Sequence, residues 1–136
     1  MFTSPDWDKR GKLKADAQLV RDIGLHLFVR HIDDVVILDL HGKATIGRAN
    51  DLLDNQLRQL IDEGSSKIVL NLTDVTQMDS SSISSVVRAF KSLKRRGASL
   101  RLLGPRGNVR LVLETVHLMD IVPTTEDETQ AIDGFH

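Results

Sequence analysis

Hydrophobic residues along the chain follow two patterns: short runs that are almost wholly apolar, and longer stretches with an apolar residue every three or four positions. Runs rich in aliphatic and β-branched residues, the composition of strands, occur at LHLFVRH (25–31), VVILDLHG (35–42), KIVLNL (67–72) and SLRLLG (99–104). Only the polar IDD separates the first two runs, which predicts a hairpin, and Gly42 is expected to end its second strand. The run KIVLNL predicts a strand buried on both faces.

Helical spacing occurs after three of these runs. The apolar positions that define the two clearest stripes are Ala49, Leu52, Leu53, Leu57, Leu60 and Ile61, and then Ile83, Val86, Val87, Phe90 and Leu93. Gly64 and Gly97 follow these stripes, where helices commonly end. A third helix is expected over PRGNVRLVLETVH (105–117), with Val116 among its inward residues, and a closing helix within TEDETQAIDGF (125–135). MDIVPTT (119–125) predicts a short final strand between them.

The resulting order of elements is β-β-α-β-α-β-α-β-α. Strands that alternate with helices imply parallel crossovers, and the opening hairpin adds an antiparallel strand at the edge. The prediction is an α/β fold with a mixed, mostly parallel sheet packed by about four helices. The 136 residues suffice for one domain. Residues 1–24 are polar and charged and are expected to form an N-terminal extension, which leaves residues 25–136 as the domain.

Composition narrows the classes of function. The formal net charge of −1 disfavours nucleic acid as the main partner, because phosphate binding requires a surplus of cations. The chain has no cysteine, which excludes disulfides and thiolate sites and fits a protein of the reducing cytoplasm. No apolar run approaches the roughly 20 residues that span a bilayer, so direct membrane insertion is not expected.

Enzyme and metal motifs are missing from the sequence. The five histidines are scattered and form no HExxH pair, so no metal site is expected. GPRGN at 104–108 lacks the pattern of a phosphate-binding loop. The serines of the chain are not set in a GxSxG turn, which disfavours a serine hydrolase. We therefore expect a protein that is not an enzyme and that needs no cofactor.

One polar segment calls for an explanation. Asp79, Ser80, Ser81 and Ser82 lie where a strand leads into the helix that carries the second stripe. The simplest interpretation places a serine at the helix N-cap, which would stabilise the helix by about 1 kcal/mol. One serine would suffice for that role. A run of three behind an aspartate leaves a nucleophile, a phosphate site and a phosphorylation switch as alternatives, and composition does not choose among them.

The segment KIVLNLTDVTQMDSSSISSVV (67–87) resembles the signature of STAS domains, named for sulfate transporters and anti-sigma factor antagonists. That signature is a buried strand, a short loop and then Asp-Ser-Ser-Gly, followed by an apolar residue at a helix start. The element order, DLHG ending at Gly42 and the strand GASLRLLG agree with it, and the resemblance covers about residues 25–133. The chain departs from the pattern at several positions. Ser82 replaces the glycine, Ser84 stands where a glycine or alanine is usual, no acidic residue follows Gly42 until Asp51, and Asn71 stands where many members carry aspartate.

Within that family the chain is most similar to the small, free-standing bacterial anti-sigma factor antagonists. The resemblance implies that the second serine of Asp-Ser-Ser is phosphorylated by a kinase that doubles as an anti-sigma factor. The unphosphorylated antagonist would bind that kinase and free a sigma factor, and a phosphatase would reverse the modification. The motif maps this role onto Ser81, with Ser80 and Ser82 as the next candidates. The chain would then be a phosphoprotein that regulates transcription by partner switching in a stress response.

The resemblance also implies a partner-binding surface around the start of the serine helix. Its expected members are Thr45, Ile46, Thr76, Gln77, Asp79, Ser80, Ser81, Ser82 and Ser84. An alternative is a STAS subunit that acts without phosphorylation, in a signalling scaffold or on a transporter, with Ser81 as a mere cap. Self-association as a homodimer stays open.

Overall fold

A computed structural model of the chain describes residues 24–135. The predicted extension, residues 1–24, lies outside the described residues except for Gly24. The elements are β1 Leu25–Ile32, β2 Val35–Ala44, α1 Arg48–Asp62, β3 Lys67–Met78, α2 Ser80–Arg95, β4 Ser99–Leu103, α3 Gly107–Thr115, β5 Thr124–Thr125 and α4 Glu128–Asp133. A single 3₁₀ turn, Leu118–Asp120, precedes β5. The predicted order of strands and helices is confirmed.

The strands form a sheet in the order β1-β2-β3-β4-β5. β1 is antiparallel to β2, and each later strand is parallel to the one before it. The mixed, mostly parallel sheet with an N-terminal hairpin is therefore as predicted. Because β2 and β3 are parallel, the helices that follow them, α1 and α2, both begin at the carboxyl edge of the sheet, where ligands commonly bind in such folds.

The sheet separates a larger core from a smaller one. On one face, strand residues such as Leu38 and Leu70 pack with Leu53 of α1, Val86 of α2 and Val109 of α3. Each fully buried side chain of this kind contributes about 1.5–3 kcal/mol. The smaller core, on the other face, consists of Val35, Ile37, Val69, Leu103 and Ala131. Three helices thus share one face, which places α1 and α2 beside each other.

The strands that lead to the candidate site are longer than predicted. β2 was expected to end at Gly42 and β3 at residue 72, but they continue to Ala44 and Met78. The extra residues pair with one another, as in Ala44 with Met78, across two irregularities of register. The sequence TDVTQM concealed this extension because its exposed polar residues interrupt the apolar run, although Val75 and Met78 are buried.

In the last third of the domain, by contrast, the third helix and the final strand are shorter than predicted. The third helix occupies Gly107–Thr115 rather than 105–117, and Val116, expected to face inward, is exposed. The final strand is only Thr124–Thr125. His117 adopts a left-handed conformation with φ of 62°, which ends the helix and directs the chain into the 3₁₀ turn.

The hydrogen bonds of Asn71 explain why an amide stands at this position, where many members of the resembled family carry aspartate. Its amide donates to Oδ1 of Asp39 at 2.7 Å, and its own Oδ1 accepts from the backbone N–H of Thr73 at 3.1 Å. Asp39 also forms an ion pair with Arg30. An aspartate at position 71 would face the Asp39 carboxylate with a second negative charge, so the amide suits this neighbour.

Gly42 lies inside β2, and a side chain does not fit there. Its φ is 111°, and a Cβ atom would lie 2.3 Å from the carbonyl oxygen of Gly24. That oxygen accepts a hydrogen bond from the backbone N–H of Lys43 at 2.8 Å, so the two strands approach closely at this point. The close approach holds the start of β1 against the end of β2.

We expect Gly42→Ala to lower the free energy of unfolding by about 3 kcal/mol or more, because strain at positive φ adds to a backbone clash. Gly64→Ala is the matched control, since Gly64 has φ of 90° but a methyl group there would meet no other atom within 4 Å. It should cost only about 1–2 kcal/mol. Urea denaturation measures both, and equal losses would contradict the close approach at Gly42.

Candidate functional site

The candidate site is the turn from β3 into α2, together with the loop that joins β2 to α1. Asp79 lies between β3 and α2 in an extended conformation, with φ of −124° and ψ of −175°. Its Oδ2 accepts a hydrogen bond from the backbone N–H of Ile46 at 2.8 Å. Two connections that are 33 residues apart in the sequence are thereby joined at the carboxyl edge of the sheet.

Asp79, rather than a serine, is the N-cap of α2. Its Oδ1 accepts from the backbone N–H groups of Ser81 at 3.1 Å and Ser82 at 3.3 Å. The prediction that a serine occupies the cap is therefore wrong, since Ser80, Ser81 and Ser82 are the first residues of the helix itself. An ionised carboxylate accepts from several donors at once and carries the charge favoured at a helix start, which gives it the advantage over a hydroxyl.

Ser82 completes a capping box. Its Oγ accepts from the backbone N–H of Asp79 at 3.2 Å, and its hydroxyl lies 3.0 Å from the carbonyl oxygen of Asp79. The Ser82 side chain is 0% exposed. The residue that departs from the resembled pattern thus has a structural role that glycine could not perform. Its burial also removes it from the surface that it was predicted to join.

The three serines differ in accessibility. Ser80 is exposed, Ser81 is half-buried and Ser82 is buried. The Ser81 hydroxyl donates to Oδ1 of Asp79 at 2.5 Å, so its oxygen is held beside the carboxylate at the mouth of the turn. The Ser81 hydroxyl is therefore partly accessible from solvent and is held in a fixed orientation.

The environment of Asp79 keeps its carboxylate ionised. Burial raises the pKa of this group, but hydrogen bonds from the Ser81 hydroxyl and from backbone N–H groups, including that of Ile46, lower it further than burial raises it. The net pKa is below its ordinary value. The negative charge is consequently a constant feature of the site at neutral pH.

Most of the other residues predicted for the partner surface face solvent. Thr76, Gln77 and Ser84 are exposed, Thr45 is half-buried, and Ile46 is 79% exposed, which is unusual for so large an apolar side chain. The pairing of Gln77 with Lys43 and the Ile46–Asp79 hydrogen bond bring both connections to one surface. Apart from Ser82, the predicted set is thus accessible to a macromolecule.

A polar network between α1 and α2 was missed by sequence reasoning. The Ser85 hydroxyl donates to Oδ1 of Asn50 at 3.0 Å, and Arg88 contacts both Ser85 Oγ and Asp54 Oδ1 at 3.2 Å. Asp54 also pairs with Arg58 at 2.6 Å. Only the contacts within one helix, such as the Asp54–Arg58 pair four residues apart, have a signal in the sequence. The contacts between the two helices join residues more than 30 positions apart.

Two further classes of site find no support in residues 24–135. Within that range no cluster of three or more histidine, aspartate or glutamate residues could hold a metal ion. The helices described there are too short or too polar to cross a membrane. The polar groups that the structure places at the turn are serine hydroxyls, backbone N–H groups and the Asp79 carboxylate.

A mixed sheet with helical crossovers, and an aspartate-capped serine turn at its carboxyl edge, define a small α/β domain whose candidate site is a surface rather than a deep cavity. The family model described as STAS domain matches residues 26–131. The chain belongs to the STAS domain family.

Known relatives support the same assignment. A Thermotoga maritima protein named as a candidate anti-sigma factor antagonist is 30% identical over 102 residues, which cover 75% of this chain and 90% of the relative. A crystal structure under that description, also from Thermotoga maritima, has a TM-score of 0.72 at 28% identity and covers 79% of this chain and 92% of that one. The chain is similar to anti-sigma factor antagonists in both sequence and structure.

The fold extends to more distant proteins. The Bacillus cell fate determinant SpoIIAA in its phosphorylated form has a TM-score of 0.65 at 21% identity, with 82% of this chain and 100% of that chain covered. At this identity the similarity concerns the fold.

Asp79→Asn tests the charge of the cap. Because the pKa of Asp79 is lowered in the folded protein, its ionised form adds stability that is fully present above the unfolded pKa of about 4 and is lost as pH falls through the folded pKa. We expect wild type to be more stable than Asp79→Asn at pH 7 and the difference to shrink below about pH 4. Urea denaturation over a pH series measures it. Asp62→Asn, at an exposed position of α1, is the control, and a pH-independent difference for Asp79→Asn would contradict the assignment.

Ser82→Ala tests the capping box. It leaves the backbone N–H of Asp79 without its acceptor, and we expect a loss of about 1–2 kcal/mol in the free energy of unfolding. Ser80→Ala removes an exposed hydroxyl from the neighbouring position and should change stability by less than about 0.5 kcal/mol. Thermal and urea unfolding of the two variants should separate them, and equal stabilities would rule out a structural role for Ser82.

Proposed function

We propose that this chain is an anti-sigma factor antagonist that is switched by phosphorylation of Ser81. The unphosphorylated protein binds an anti-sigma factor that is also a serine kinase and thereby frees a sigma factor. Phosphorylation ends that complex, and a serine phosphatase restores the binding form in the cytoplasm. The observation that carries the proposal is the Ser81 hydroxyl, half-buried at the start of α2 and hydrogen-bonded to Asp79 at 2.5 Å.

Access and orientation favour Ser81 over its neighbours. Ser82 is buried and its hydroxyl is engaged in the capping box, so a kinase would have to unfold the turn to reach it. Ser80 is exposed, but its hydroxyl is not among those held by Asp79. At Ser81 the carboxylate fixes the position of the oxygen that would attack the phosphoryl group, which is the form of assistance expected for phosphoryl transfer to a hydroxyl.

A phosphate on Ser81 would change the charge of the site and leave the fold intact. It would replace a hydroxyl donor with about −1.5 to −2 charges directly beside the Asp79 carboxylate. The start of a helix tolerates an anion, and the second acceptor of Asp79, its Oδ2, would keep the bond from Ile46. A partner that packs closely on this turn would meet both added bulk and concentrated negative charge, and an unfavourable charge contact can cost an interface several kcal/mol.

The relatives lend the proposal its biological setting. SpoIIAA, which shares the fold, is described as an anti-sigma factor antagonist and has been solved in both phosphorylated and unphosphorylated forms. The nearer Thermotoga maritima relative carries the name of a candidate antagonist. Together with the accessible Ser81 of this chain, these descriptions support a protein-binding role governed by phosphate.

A second candidate function is a STAS docking subunit that is never phosphorylated, in a scaffold or beside a transporter. The observation that favours it is the completeness of the capping box, in which Ser81 and Ser82 both serve the local structure. In that case the exposed Ile46 and the serine turn would bind a partner constitutively.

The deciding experiment compares intact masses of wild type, Ser81→Ala and Ser84→Ala recovered from the native host with phosphatase inhibitors. The proposal expects one phosphate on wild type and on Ser84→Ala, which alters an exposed serine of the same helix, and none on Ser81→Ala. Unmodified masses for all three, across growth and stress conditions, would refute the switch and favour the docking subunit. A phosphate that persists in Ser81→Ala would refute Ser81 as the site, and the exposed Ser80 would be the next candidate, ahead of the buried Ser82.

A further inference from the structure

A groove of about 440 Å³ runs between α1 and α2, and its first lining residue on α2 is Ser85, one helical turn after Ser81. Its floor includes Leu57, Ile61 and Ala89, and its charged residues are four cations, Arg58, Arg88, Lys91 and Arg95, and two carboxylates, Asp54 and Asp62. We call this feature the basic groove. The proposed switch at Ser81 does not assign a binding role to any of these residues.

The cations of the basic groove are only partly neutralised. Asp54 pairs with Arg58 at 2.6 Å and with Arg88 at 3.2 Å, and one carboxylate therefore serves both arginines. Lys91 and Arg95 are exposed, and within residues 24–135 neither forms an ion pair. The lining thus sets four cations against two carboxylates, Asp54 and Asp62, and the exposed Lys91 and Arg95 present the surplus positive charge to solvent toward the C-terminus of α2.

The arrangement continues the Ser81 surface along one side of α2. Residues 81, 84, 88, 91 and 95 follow one another at steps of three and four, so they share a face of the helix. At 1.5 Å per residue, Ser81 and Arg95 are about 21 Å apart along the axis. A protein that covers the serine turn and continues along this face would cross the whole groove.

The spacing of the cations indicates the form of ligand. Arg88, Lys91 and Arg95 extend over about 10 Å of helix instead of converging on one point, as the donors around a single phosphate do. The apolar floor between them offers contact to aliphatic side chains. A peptide segment in which carboxylates alternate with aliphatic residues matches both the row of cations and the apolar floor. A nucleic acid has no aliphatic side chains to pack on that floor, and the net charge of −1 on this chain disfavours it further.

We propose that the basic groove binds an acidic, amphipathic segment of the protein partner that docks on Ser81. This inference rests on the proposed function, because it assigns a second contact to the same complex. Carboxylates of the segment pair with Lys91 and Arg95, and its aliphatic side chains pack on Leu57, Ile61 and Ala89. The groove attracts an acidic partner to α2, and a phosphate at the other end of the same face repels it.

Charges at an exposed rim act mainly on the rate and orientation of association, and salt screens them. The groove should therefore set the salt dependence of binding. Reversing the charges of Lys91 and Arg95 should slow association and weaken affinity. It should have little effect on the fold, because both side chains are exposed.

The test uses the full chain labelled with ¹⁵N and a capped synthetic peptide of Glu-Glu-Leu-Leu repeats, titrated at low and at physiological salt. We expect the largest chemical-shift changes at the backbone amides of Ala89, Lys91 and Arg95. We also expect weaker binding at the higher salt. Lys91→Glu/Arg95→Glu should weaken binding at least about tenfold, since it reverses two contacts. The control Lys43→Glu/Arg106→Glu makes the same change in net charge at exposed positions outside the groove, and should weaken peptide binding less than about threefold.

Several results would overturn the inference. They are an absence of localised shifts, equal losses in the two charge-reversed variants, or equally tight binding of inorganic tripolyphosphate at the same residues, which would indicate a small-anion site. The intact-mass experiment on Ser81 is independent of these measurements. If Ser81 is phosphorylated but the peptide does not bind, only the proposal for the basic groove is refuted. If the peptide binds in the groove but Ser81 is never modified, only the proposed phosphorylation switch is refuted.

Discussion

The carboxylate of Asp79 is the interaction on which the candidate site depends. One side chain accepts hydrogen bonds from Ile46, Ser81 and Ser82, and so connects the β2–α1 loop to the first turn of α2. Without it, two backbone N–H groups at the start of the helix would lose their acceptor, at a cost typical of a lost cap, about 0.5–2 kcal/mol. The surface proposed for partner binding therefore has a fixed shape before any partner arrives, which reduces the entropy lost on binding.

The same carboxylate explains how a modification at one hydroxyl could have a large effect on binding. Ser81 is a donor to Asp79 before phosphorylation and would be a neighbouring dianion afterwards. The remaining bonds of Asp79, from the backbone N–H groups of Ile46, Ser81 and Ser82, do not involve the modified oxygen. In the proposed switch, stability and recognition would depend on different residues: the Asp79 cap and the buried Ser82 maintain the helix, whereas Ser81 would carry the change of charge.

The charges along α2 complement this division. The helix begins at an anionic cap and continues into the basic groove with its free cations at Lys91 and Arg95. Such an order favours the helix itself, since negative charge at its start and basic residues in its last turn, Lys94 and Arg95, oppose the dipole. The proposed partner would meet an apolar floor between two regions of opposite charge, and this charge pattern would favour one direction of docking over the reverse.

Local patterns in the sequence determined the order of elements, the hairpin and the parallel crossovers, because apolar runs and helical stripes are properties of neighbouring residues. They also located the serine turn. Tertiary structure alone decided that β3 continues to Met78, that Asp79 is the cap and bonds to Ile46, that Ser82 is buried, and that Ser85 meets Asn50 across two helices. Each of these depends on a partner more than 30 residues away or on the competition between adjacent polar side chains for the same N–H groups, and neither leaves a periodic signal in one sequence.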